Sequence, residues 1–118
     1  MTATGKVLRC LSRWEYDLST EKALQSDVAK ALTLEGIAFK REAWLNIEDR
    51  VEFYLPVGSI GLEVRLQCAA REIYRQIERY AESPAINEII LLSNTEIGLP
   101  ALVKGKRVWV SHAGKCGL

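Results

Sequence analysis

Two alternating runs separated by a turn dominate the middle of this 118-residue chain. Val51, Phe53, Leu55 and Val57 alternate with Arg50, Glu52 and Tyr54. After Pro56…Gly58-Ser59…Gly61, Ile60, Leu62, Val64 and Leu66 alternate with Glu63, Arg65 and Gln67. A period of two sends successive side chains to opposite faces of a sheet, so these runs predict a hairpin with one apolar side. Ile37, Phe39, Ala43, Leu45 and Ile47 repeat the period, broken at Arg41 and Trp44, and extend the hairpin to a three-strand meander. If residues 57 and 60 flank the turn, the numbers of opposed residues add to 117. Tyr54 then faces Glu63 and Glu52 faces Arg65 on one side of the sheet, with Val51, Phe53, Leu55, Leu62 and Val64 on the other.

Helical spacing brackets the meander. Ser19 or Thr20 offers an N-cap, Glu21 suits the first turn, and Leu24, Val28, Ala31 and Leu32 form one apolar face before Gly36; this predicts a helix over 20–35. A second helix is predicted over 69–82, closed by Ser83-Pro84. Asn87 to Leu92 reads as a strand covered on both faces, and Arg107 to Val110 as a short last strand after the Gly98…Gly105 loop. The first dozen residues read as a short edge strand or a loose arm. The order is αβββαββ, an α/β or α+β fold with a central mixed sheet flanked by helices.

At 48% hydrophobic, residues 1–118 are expected to form a single domain with one core. No apolar run approaches the roughly 20 residues that span a bilayer, and no signal-peptide pattern opens the chain. Cys10, Cys68 and Cys116 are odd in number and lack metal spacing, which points to a reducing cytoplasm. A lone His112 argues against a histidine-based zinc site, so any metal would be held by oxygen. Sixteen basic and fifteen acidic residues give a net charge of +1, which leaves nucleic-acid binding to a local basic surface.

The charged residues gather. Glu52, Glu63 and Arg65 share a sheet face in the hairpin register, and Gln76 and Tyr80, at i and i+4, share a helix face that can lie over them. Glu21 can approach from the first helix. These residues resemble the PD-(D/E)xK nuclease superfamily, of restriction-endonuclease-like fold, and especially its RecB-like branch. Asp49-Arg50-Val51-Glu52-Phe53 is similar to the first-acid motif, Glu63-Val64-Arg65 to Glu-x-Lys, and Gln76…Tyr80 to Gln-x-x-x-Tyr, while Glu21 is similar to the first-helix glutamate. Two letters depart from the pattern: glutamate stands for aspartate at 52, and arginine for lysine at 65.

The resemblance covers about residues 19–111 and implies an αβββαβ core and a metal-dependent deoxyribonuclease. It implies Mg²⁺ or Mn²⁺ on Glu52 and Glu63, with Glu21 as a further ligand, and Arg65 at the phosphate and the attacking water. Gln76 and Tyr80 would orient that group. DNA is the implied substrate, and a homodimer or larger assembly the implied setting for so small a chain. Hard Mg²⁺ prefers carboxylate oxygens, and arginine binds phosphate well but cannot lose a proton near neutral pH. A catalytically inactive module that binds nucleic acid or a protein partner is therefore the alternative.

Structural roles compete for the same residues. Glu52 and Arg65 would also make a cross-strand ion pair; Glu63 would be satisfied by Arg50 or Tyr54; Glu21 suits a helix start and Asp49 a turn. Gln76 and Tyr80 would serve as half-buried helix residues. Lys104, Lys106, Arg107 and Lys115 read as a solvated tail or as DNA contacts.

Overall fold

A computed structural model describes residues 1–114; Lys115 and Cys116 lie outside the described residues. Three helices and six strands follow in the order α1 (Ala3–Arg13), α2 (Glu21–Leu34), β1 (Lys40–Trp44), β2 (Arg50–Leu55), β3 (Ile60–Arg65), α3 (Ala70–Ala81), β4 (Glu88–Ser93), β5 (Leu102–Val103) and β6 (Lys106–His112). The strands form one mixed sheet in the order β1-β2-β3-β4-β6-β5. Neighbours are antiparallel except β3 with β4 and β4 with β6, which run parallel. This is an α+β fold with helices on both faces of a six-stranded sheet.

Each face of the sheet has its own core. On one, Val7 and Leu11 of α1 and Leu24, Val28 and Leu32 of α2 pack on Phe53, Leu55, Leu62, Val64, Ile90 and Leu92. On the other, Ile73, Ile77 and Tyr80 of α3 pack on Ile89, Leu91 and Val108. The central strand β4 is apolar at every position from Ile89 to Leu92, and all four side chains are fully buried. A strand hidden on both faces needs no polar positions, as its continuous apolar run indicates. No helix of the described residues is long and apolar enough to cross a membrane.

Three expectations need correction. The first dozen residues are a helix, not an edge strand or arm. Thr2 caps it by accepting from the Gly5 amide at 2.9 Å, and Val7, Cys10 and Leu11, at i, i+3 and i+4, are all buried. The strand reading failed because Lys6 to Leu11 is too short to separate periods of 2.0 and 3.6 without its tertiary partners.

The hairpin register is also different. Tyr54 lies opposite Gly61 and Leu55 opposite Ile60, so opposed positions sum to 115, two fewer than expected. The strand ends at Leu55 rather than Val57, and Gly58, at φ +89°, turns the chain where a Cβ would come within 2.9 Å of Ala3. A shift of two keeps each side chain on its face but removes Arg65 from Glu52. No Glu52–Arg65 ion pair forms.

Finally, Val51 packs with Tyr80 under α3, whereas Phe53 and Leu55 pack under α1 and α2. The β1–β2 ladder skips the Glu42–Glu52 pair, and Glu42 takes φ +51°. Alternation therefore breaks at Glu52.

Candidate functional site

Glu63 is the centre of the site. It lies near the end of β3 and is 4% exposed. Its Oε2 accepts from Arg65 Nε at 3.0 Å, and its Oε1 accepts from the Glu52 amide at 3.2 Å. The Tyr80 hydroxyl lies 3.2 Å from Oε1 and 3.0 Å from the Arg50 carbonyl, so its one proton is shared between two acceptors. Positions i and i+2 of a strand share a face, which lets the Arg65 side chain fold back to Glu63.

Arg65 is held a second time, by Nη2 donating to Gln76 Oε1 at 2.7 Å. Gln76 and Tyr80, one turn apart on α3, thus grip the two ends of the Glu63–Arg65 pair. They reach it because Ile73 and Ile77 on the same helix are buried against the sheet. Glu21 arrives from the start of α2, where Thr20 caps the helix by accepting from the Ala23 amide. Its Oε1 accepts from the Leu66 amide at 3.1 Å, next to Arg65. The six residues singled out from the sequence therefore meet around the end of β3.

The electrostatics are uneven. Burial pushes the Glu63 carboxyl above its ordinary pKa, and Arg65 pulls against that. Burial likewise raises Glu52, whose carboxylate has no hydrogen bond or ion pair among the described residues; Glu42 and Glu21 raise it further, while Arg41 and Arg50 offset part of the effect. Burial disfavours the Arg65 charge, but Glu63 outweighs it and its pKa rises. Tyr80 is raised by burial and by Glu63, so it stays a neutral donor.

Among the described residues no three His, Cys, Asp or Glu side chains stand close enough to enclose a metal ion. That rules out an all-protein cage there, not Mg²⁺, which takes one or two carboxylates, keeps several waters and relies on substrate phosphate. Glu52 and Glu63 are hard oxygen donors, and Glu52 makes no ion pair among the described residues. By chemical type these two carboxylates suit such an ion, although both Glu63 oxygens already accept hydrogen bonds.

Several residues differ from their sequence reading. Glu63 is partnered by Arg65 and Tyr80, not by Arg50 or Tyr54; Tyr54 donates instead to the Ala85 carbonyl at 3.0 Å. Lys106 is no solvated tail, since its ammonium donates to the Ser83 and Ile86 carbonyls. Arg107 lies over the Trp109 ring, 4.5 Å from its centroid. Asp49 is in the turn, as expected, but also accepts from Arg79 Nε at 3.0 Å. Arg79 went unremarked in the sequence, although its place three residues after Gln76 put it on the same side of α3.

Comparison with known proteins found no matching family model, no matching curated protein and no matching solved structure.

Proposed function

We propose that this protein is a PD-(D/E)xK-type nuclease, a magnesium-dependent enzyme acting on DNA phosphodiesters. The run α2-β1-β2-β3-α3-β4 supplies its restriction-endonuclease-like αβββαβ core. The observation that carries the proposal is the hydrogen-bonded convergence of Glu63, Arg65, Gln76 and Tyr80, with Glu52 and Glu21 beside it. A chance set of weak motifs has no reason to meet at one strand end.

Each residue has a role in that reading. Arg65 binds a non-bridging phosphate oxygen through its free donors and supplies fixed positive charge as the phosphorane develops. Gln76 orients the guanidinium, and Tyr80 with the Glu52 amide fixes the Glu63 carboxylate. Glu21 braces the backbone that follows Arg65. Glu52 and Glu63 would hold the metal, which when bound polarises the phosphate and acidifies a water. A second copy of the chain would add DNA-contact area.

One observation favours a second reading. Arg65 Nε already rests on Glu63, and a guanidinium cannot act as a base. A catalytically inactive module that binds nucleic acid would keep the same contacts.

A plasmid assay with Mg²⁺ or Mn²⁺, paired with calorimetry, separates the two. Expected are cleavage by the wild type or Arg65→Lys, and Mn²⁺ uptake lost in Glu63→Ala. Cleavage by neither protein overturns the nuclease; DNA binding that persists but weakens in Arg65→Gln then establishes the binding module.

A further inference from the structure

Two guanidinium groups reach one small cavity from different elements. The cavity, about 210 Å³, is lined by Arg65, Cys68, Glu72, Ile73, Gln76 and Arg79. Arg65 comes from the end of β3 and Arg79 from the last turn of α3. Both are reachable, with side chains 36% and 51% exposed.

Each arginine is held by one side and free at the other. Arg65 gives Nε to Glu63 and Nη2 to Gln76. Arg79 gives Nε to Asp49. Arg65 Nη1 and both terminal nitrogens of Arg79 have no partner among the described residues. Two anchored cations with spare N–H donors around one concavity suit a phosphate group, whose oxygens accept from guanidinium in pairs.

The surface beyond the cavity continues the pattern. Arg71 and Arg75 precede Arg79 at i−8 and i−4, so the three lie in one row about 6 Å apart along the axis. Arg71 and Arg75 are exposed, and neither makes an ion pair among the described residues. Like charges at i, i+4 weaken a helix. An anion running along the row would reverse that cost. Glu72 is the one acid in the cavity lining, and it is exposed.

We propose that the cavity between Arg65 and Arg79 is a phosphate subsite. It takes the phosphate one step along the strand from the phosphodiester at Glu63 and Arg65, with Arg75 and Arg71 guiding the strand away. This rests on the phosphodiester reading and narrows it to a path over α3. A terminal phosphate and an internal phosphodiester offer the same oxygens to these donors.

Fluorescence anisotropy of a labelled single-stranded oligonucleotide tests it, with and without a 5′-phosphate, over a KCl series in EDTA and again in Ca²⁺. Arg79→Gln is expected to weaken binding about tenfold and to lower the slope of log K against log[KCl] by about one. Arg79→Lys should recover most of the affinity, and Glu72→Gln should tighten binding. Asp49→Asn breaks the same ion pair and should leave the slope unchanged, which separates phosphate contact from a structural role. Loss of a 5′-phosphate preference in Arg79→Gln identifies a terminal phosphate; equal weakening of both oligonucleotides identifies an internal one. Wild-type affinity and slope in Arg79→Gln and Arg75→Gln would overturn the subsite, and if Arg65→Gln still weakened binding the phosphodiester reading would stand. Failure of the wild type to bind in either buffer would overturn both.

Discussion

Glu52 and Glu63 are neighbours with opposite circumstances. Glu63 is almost wholly buried but accepts three donors, whereas Glu52 is half-buried and its carboxylate accepts none among the described residues. Satisfied buried acids are tolerable; unsatisfied ones cost stability. Glu52→Gln removes a half-buried charge that has no hydrogen bond among the described residues, so it is expected to raise the melting temperature at pH 7, which differential scanning calorimetry measures. Tyr80→Phe keeps the packing but removes the hydroxyl between Arg50 and Glu63. Its expected cost is about 1–3 kcal/mol, measured by urea unfolding, since it leaves buried acceptors one donor short. At this scale the sequence was informative about which polar residues gather at the end of β3. It was silent on how they pair, because a two-residue change of register redirects every cross-strand contact and leaves the alternation untouched.

The elements show which patterns carry enough signal. α2 has fourteen residues, a Thr20 cap and Gly36 at φ +71°, and its apolar face was readable. α3 was equally readable, with Pro84 beyond its end. α1 was not, and its burial gives the clearest check on it. Leu11 is 1% exposed, so Leu11→Ala should cost about 2–5 kcal/mol in chemical denaturation. A loose arm would lose nothing measurable. β5, two residues long, carries too few letters for any period; it exists because Leu102 and Val103 pair with Arg107 and Lys106. The Glu42 irregularity is similar, since its φ of +51° has no signature in a glutamate.

Stability of the whole molecule should depend on pH through three shifted carboxyls. Burial raises Glu52 and Glu63 above the ordinary 4.5, so the folded state holds their protons more tightly, and stability falls as pH rises from 4.5 through their folded values. Glu35 is lowered, first by the Trp14 indole hydrogen bond and also by Arg13. Its contribution is present above 4.5 and is lost as pH falls through its folded value. In thermal melts over pH 3–8, Glu52→Gln should flatten the fall in stability above pH 4.5. The sequence by itself determined the sheet-and-helix alternation, the buried central strand and the set of polar residues that gather at the end of β3. Apolar periods and helix caps are local signals, and a strand buried on both faces must be apolar throughout. The tertiary structure alone decided that Arg65 turns back onto Glu63 instead of crossing to Glu52. It also decided that Arg79 shares a cavity with Arg65 and that the first residues coil into a helix. Those outcomes depend on register and on which surfaces meet, and contacts between distant segments leave no period in the chain.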